Sequence, residues 1–160
     1  MPNHRLLTLA VMTLALAACN PFKHAPASVV SRDTNLNTRW HASLVSPATL
    51  AGAVQMNGSA EMQPSTGSEG TALSLSLANA TPGGVHPWQV HRGQCGADEG
   101  VFGSADAYAP IKIGDDGRGE ATATIPVMTP TTGSYFVLVG ASAANAQRIV
   151  ACGNLAPPTL

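Results

Sequence analysis

Charged side chains are scarce in this chain. They make up 11% of its 160 residues, and the formal net charge is −1, whereas about a quarter of an ordinary soluble domain is charged. Strong binding to nucleic acid depends on clustered Lys and Arg that neutralise phosphates. Eight basic residues against nine acidic ones supply no basic excess, and we therefore expect no nucleic-acid partner.

Aromatic residues and helical periods are scarce as well. Aromatic side chains make up 4% of the chain, which also has 16 glycines and 12 prolines. No segment repeats its apolar residues at helical spacing over three turns. This balance favours short strands separated by turns over packed helices.

Alternating apolar residues predict seven or eight short strands. In the clearest one, 72–78, the residues Leu73, Leu75 and Leu77 point to one face and the intervening serines to the other. Tight turns are predicted at Asn57-Gly58 and Asp115-Asp116-Gly117, and an irregular connection at 96–107. The predicted strands are Trp40–Val45, one or two within 53–63, 72–78, one within 82–95, 108–113, 118–125, 135–139 and 147–152.

Short strands at this spacing are typical of an antiparallel β-sandwich or flattened barrel with Greek-key connections. We therefore predict an all-β domain over residues 39–160. Its predicted core takes alternating or apolar residues from the strands, namely Leu73, Leu75, Leu77, Trp88, Val90, Ala121, Ala123, Phe136 and Leu138.

The one long apolar run lies at the N-terminus. It follows the basic Arg5 and is too short for a stable membrane-spanning anchor, so residues 1–18 are predicted to be a signal peptide. The run ends Leu16-Ala17-Ala18-Cys19, which resembles the bacterial lipobox. The resemblance implies cleavage before Cys19 and lipidation of that residue, and the alternative is an ordinary signal peptide in which Cys19 is incidental.

Residues 19–38 carry prolines, serines and asparagines without a sustained period, and we predict a flexible tether there. With a lipid on Cys19, the domain would be held at a membrane of the bacterial cell envelope. In bacterial lipoproteins, an aspartate after the lipidated cysteine tends to hold the protein at the inner membrane. This chain has Asn20 at that position, so the resemblance implies the outer membrane, with the domain facing the periplasm.

If Cys19 is lipidated, Cys95 and Cys152 remain, in a compartment that permits disulfides. We predict a bridge between them, and two buried free thiols are the alternative. The bridge would close a loop of nearly sixty residues, for which the chain-entropy model gives about 4 kcal/mol.

The stretch 82–95 carries the most chemistry. Strand parity places His86, Trp88 and Val90 on one face, and Gln89 and His91 on the other. We interpret His86 as a core histidine with a hydrogen-bonded ring. Gln89 and His91 are either the remains of a metal site or polar residues on a solvent-facing strand, and we favour the second interpretation.

Two motifs resemble the copper/zinc superoxide dismutase family. Val85-His86-Pro87-Trp88-Gln89-Val90-His91 is similar to that family's His-Gly-Phe-His-Val-His strand. The segment 144–153, Ala-Asn-Ala-Gln-Arg-Ile-Val-Ala-Cys-Gly, is similar to its C-terminal Gly-Asn-Ala-Gly-Ser-Arg-Leu-Ala-Cys-Gly. The resemblance covers 44–155 and implies the family's Greek-key β-sandwich.

The resemblance does not extend to a complete metal centre. His91 matches the second copper ligand of the strand, but Gln89 stands at the position of the first. The segment 96–107, where the bridging and zinc-binding histidines belong, has none, and Gly140 follows the strand that should end in the last copper histidine. Ile149 occupies the position of the family's guiding arginine, and Arg148 lies one residue away from it.

We therefore assign no catalytic residues, and we keep His91 only as a vestigial metal ligand. The favoured function is a non-catalytic envelope lipoprotein with a binding or structural role and no cofactor. One alternative is a copper-binding protein or dismutase with a reduced site, built from His91 and His41 with help from Gln89 or a partner chain. The other is an inhibitor or interaction module for an envelope protein.

Overall fold

The computed structural model describes residues 39–50, 55–67 and 69–158. The predicted signal peptide, the lipidation site Cys19 and the tether lie outside the described residues. Within the described ranges, no helix is long and apolar enough to cross a membrane.

The described residues form ten β-strands and almost no helix, so the predicted all-β class is confirmed. Three single-turn 3-10 helices are the only helical elements in these ranges. The strands are β1 (Trp40–Val45), β2 (Asn57–Pro64), β3 (Thr71–Ala78), β4 (Val85–His86), β5 (Trp88–Gln94), β6 (Ala97–Val101), β7 (Ile111–Lys112), β8 (Gly119–Ile125), β9 (Tyr135–Gly140) and β10 (Ile149–Leu155).

Eight of the strands form one antiparallel sheet that curls into a half-barrel, in the order β6-β5-β9-β10-β1-β2-β3-β8. The strands β4 and β7 pair with each other in a second, two-stranded sheet. Pro87 separates β4 from β5 because its nitrogen has no hydrogen to donate to a sheet ladder. Three neighbouring pairs, β5 with β9, β10 with β1 and β3 with β8, join strands that are distant in the sequence.

One face of the curled sheet carries the hydrophobic core. Leu73, Leu75 and Leu77 are almost fully buried in it, as their alternation predicts. Of the other predicted core residues, Trp88, Val90 and Ala123 also belong to this cluster, while Ala121 is half-buried and packs against it.

Of the two core residues predicted in β9, Phe136 is buried as predicted, but neither it nor Leu138 belongs to the core cluster. Val137 and Val139 enter the core, whereas Phe136 and Leu138 point to the opposite face. Phe136 is buried there and Leu138 is half-buried. Because 135–139 is apolar throughout, the sequence contains no alternation that could distinguish its two faces.

Three local predictions also need correction. Asn57-Gly58 is not a turn but the beginning of β2, and Gly58 passes so close to β3 that a Cβ would lie 2.3 Å from the Ser76 carbonyl oxygen. The connection 96–107 contains β6, and the strand predicted at 108–113 shortens to β7. The turn at Asp115-Asp116-Gly117 is confirmed, with a φ of 74° at Gly117 and a bond from its N–H to Gly114 O.

Candidate functional site

Two rows of side chains run across the face of the sheet that lies opposite the core. In the first row, Gln89, Leu138, Cys152 and Val45 stand opposite one another on β5, β9, β10 and β1. Strands lie about 4.8 Å apart, so this row extends over about 14 Å. In the second row, His91 on β5 stands opposite Phe136 on β9.

His91 lies in this second row with both ring nitrogens engaged. Its Nδ1 lies 2.7 Å from Asp98 Oδ1, and its Nε2 lies 3.1 Å from Gln89 Oε1. The Nδ1–H donates to the carboxylate. The Gln89 amide can serve either state of the ring, since it offers an oxygen to an N–H or, turned about, an NH₂ to a lone pair.

His91 is buried, with 7% of its surface exposed, and the expectation of a solvent-facing residue was wrong. Its ring packs against the ring of Phe136, with centroids 5.5 Å apart. The strand β6, which the sequence did not predict, lies beside β5 and brings Asp98 to the Nδ1 of His91. The alternation of side chains along the strand correctly placed His91 outside the core. The outer face is itself covered at this point, by Asp98 of β6 and by Phe136.

Asp98 is the main residue of this candidate site that sequence reasoning missed. Its Oδ1 accepts bonds from the Gly100 N–H at 2.7 Å and from His91. These two bonds hold the pKa of the Asp98 carboxyl below its usual value, the bond from Gly100 contributing more. No signal in the sequence identified it, because recognising Asp98 required the hairpin of β5 and β6.

The predicted disulfide between Cys95 and Cys152 is confirmed, with Cα atoms 6.1 Å apart. It links the turn after β5 to β10, although β9 lies between β5 and β10 in the sheet. The Cys95 N–H also donates to Asn154 Oδ1 at 2.8 Å. Together these bonds hold the turn against the outer face of the sheet.

A groove of about 700 Å³ lies beside this turn. We call it the outer groove, and its lining includes Val45, Gln89, His91, Asp98, Leu138 and Ile149, with both cysteines of the disulfide. Its lining is mostly apolar, and Asp98 is the one carboxylate among the described lining residues. The groove is therefore suited to holding a ligand, and His91 forms part of its wall.

The other residues singled out in the sequence lie elsewhere. Arg148 lines a smaller cavity of about 270 Å³ together with His86, whereas Ile149 lines the outer groove. His41 is exposed and lies near Glu61, with its Nδ1 3.5 Å from the carboxylate. In the described part of the chain, no three His, Cys, Asp or Glu side chains form a group that could hold a metal ion.

His86 is buried, as predicted, and its Nδ1 lies 3.1 Å from the Gly140 carbonyl oxygen. This bond connects the β4 segment to the end of β9. The Nε2 of His86 is also buried and has no hydrogen-bond partner among the described residues.

No protein-family model matches this sequence, and no curated protein is significantly similar to it.

Proposed function

We propose that this protein is a non-catalytic binding lipoprotein of the bacterial envelope, built on a Greek-key sandwich like that of the copper/zinc superoxide dismutases. The observation that carries the proposal is the environment of His91. The resemblance leaves this residue as the one copper ligand in register, and both of its ring nitrogens are engaged by Asp98 and Gln89. A metal ion would have to displace one of these partners to reach the ring.

The position of the last copper ligand gives independent support. The resemblance places that histidine at the end of β9, where this chain has Gly140. A Cβ at Gly140 would lie 2.6 Å from the Ala146 carbonyl oxygen and 3.0 Å from Pro87 Cγ. A side chain does not fit there without a shift of the backbone, so a histidine ligand could not be restored by substitution alone.

The strand connections are consistent with the proposed fold. The chain leaves β3 for β4 and β5, and it later returns to pair β8 with β3 and β9 with β5. Connections that skip neighbouring strands in this manner are a property of Greek-key sandwiches. The disulfide between Cys95 and Cys152 also supports the proposed fold, because both cysteines lie within the range 44–155 that resembles the family.

The non-catalytic part of the proposal is tested by metal analysis. The protein is expressed with its own signal peptide, purified without a histidine tag and analysed for copper and zinc before and after dialysis against a chelator. We expect substoichiometric metal that the chelator removes. His41→Ala serves as a control for adventitious binding at an exposed histidine. Stoichiometric, chelator-resistant copper that is lost in His91→Ala would overturn the proposal in favour of a reduced metal site.

The lipoprotein part of the proposal requires a separate test, because it rests on the sequence around Cys19. Wild-type protein should fractionate with the envelope membranes and carry the mass of an acylated N-terminal cysteine. Cys19→Ser should be found in the soluble periplasmic fraction. If the variant and the wild type fractionate alike, the lipid anchor is refuted, whatever the result at the outer groove.

A further inference from the structure

We propose that the outer groove binds a small apolar molecule that carries a protonated amine, with the amine at Asp98 and the apolar part along Leu138 and Ile149. The inference deepens the proposed function and depends on it in one respect, namely that no metal ion occupies the space beside His91.

The size and lining of the groove favour a small organic molecule. Its volume of about 700 Å³ falls within the range of about 300–1,000 Å³ that is usual for small-molecule sites. Leu138 is half-buried in its floor, and Val45 at its margin is 61% exposed. An apolar ligand would cover both side chains, and burial of apolar surface is the main favourable contribution to such binding.

The charge of the ligand follows from Asp98. Both hydrogen bonds to this carboxylate end on Oδ1, so Oδ2 accepts no hydrogen bond from any described residue. The carboxylate is ionised at neutral pH because the ordinary pKa of an aspartate already lies far below 7, and the two bonds to Oδ1 lower it further. Among the described lining residues there is no Lys or Arg to neutralise it. An ammonium group therefore finds an acceptor with a free oxygen, whereas a carboxylate of the ligand would meet a like charge.

The surrounding bonds fix the position of this acceptor. The Gly100 N–H and the His91 ring hold the Asp98 side chain from two directions, and the disulfide holds the adjacent turn. A carboxylate that is already oriented loses little conformational entropy when it pairs with a ligand. This makes Asp98 more suitable for recognition than a freely rotating surface aspartate.

Three probes that share an indole ring test the inference. Tryptamine is cationic, tryptophol is neutral and indole-3-acetate is anionic, and each is titrated into chelator-treated protein by two-dimensional NMR. We expect tryptamine to bind about threefold more tightly than tryptophol, the difference typical of one partly exposed ion pair. Indole-3-acetate should bind more weakly than tryptophol. The largest shifts should occur at the amides of Leu138 and Ile149.

Asp98→Asn should bring tryptamine to the affinity of tryptophol, while Asp115→Asn, in an exposed turn outside the groove, should leave the ranking unchanged. Ile149→Ser should weaken the binding of all three probes to the same extent. The inference is overturned if the probes bind equally well, if none binds, or if the ranking persists in Asp98→Asn. Copper analysis of the same samples keeps the two proposals separate. Stoichiometric copper that survives the chelator and is lost in His91→Ala refutes the non-catalytic function, and a wrong ranking in metal-free protein refutes only the ligand class.

Discussion

Cys95 and Cys152 are 57 residues apart in the chain and are joined across the outer face of the sheet. The bridge connects the turn after β5 to β10 over the intervening strand β9. Both cysteines line the outer groove, so the same bond that restricts the unfolded chain also holds one side of the groove in place.

The first prediction concerns the stability that this bridge provides. The double variant Cys95→Ser, Cys152→Ser should lose about 4 kcal/mol of unfolding free energy, the value expected for a loop of this length. Urea denaturation followed by far-UV circular dichroism measures the loss. The control is wild-type protein under reducing conditions, which should be destabilised to a similar extent. An unchanged melting temperature after verified reduction would contradict the prediction.

The second prediction follows from the burial of His91. An exposed strand residue would cost little to remove, but His91→Ala deletes two side-chain hydrogen bonds and the contact with Phe136. We expect a loss of about 2 kcal/mol of unfolding free energy. Arg92→Ala is the matched control, because the neighbouring Arg92 is exposed on the same strand. Equal effects of the two substitutions in urea denaturation would refute this account of His91.

The third prediction tests the two faces of β9. Val137→Ser places a hydroxyl in the core and should cost about 3 kcal/mol of unfolding free energy. Leu138→Ser lies on the half-buried floor of the outer groove and should cost about 1 kcal/mol. Chemical denaturation of the two variants in parallel gives the comparison. If Leu138→Ser proves the more destabilising, the assignment of faces is wrong.

The alternation of apolar and polar residues was sufficient to predict the strands that have one apolar and one polar face. Trp40–Val45 was predicted with its observed bounds, and β3 contains the predicted 72–78. It was insufficient for β9, whose residues are apolar on both faces, so the side that faces the core was decided by the neighbouring strands.

The outer groove could be predicted only in part. Parity placed Gln89 and His91 on the side away from the core, and the cysteine count predicted the disulfide. The strand β6 has the sequence Ala-Asp-Glu-Gly-Val, which shows no apolar alternation. It forms because it pairs with β5 in a tight hairpin, and this pairing decides both the burial of His91 and the role of Asp98.

The fourth prediction concerns the alkaline side of the stability curve. Burial raises the pKa of Tyr108 to about 12 from its usual value of 10.0, and its hydroxyl donates to Phe102 O at 2.6 Å. A raised pKa means that folding favours the neutral phenol. The resulting stability is complete below about pH 10, the pKa in the unfolded chain, and is lost as the pH rises towards 12.

The chain has two tyrosines, and Tyr135→Phe leaves Tyr108 as the only one. In this variant, phenolate absorbance at 295 nm should appear only near pH 12, or together with unfolding. In urea, where the chain is unfolded, the same absorbance should appear near pH 10. A folded protein that titrates near pH 10 would contradict the burial of Tyr108.

The most direct test of the non-catalytic account is the rate of superoxide dismutation by copper-loaded protein, measured against the same concentration of free copper. Dismutation by a copper site requires a set of ligands that holds both oxidation states of the ion, and both ring nitrogens of His91 are engaged in hydrogen bonds in this structure. The account predicts a rate no higher than that of free copper, and no decrease in His91→Ala. A higher rate that His91→Ala abolishes would contradict it, whether or not His41→Ala retains that rate.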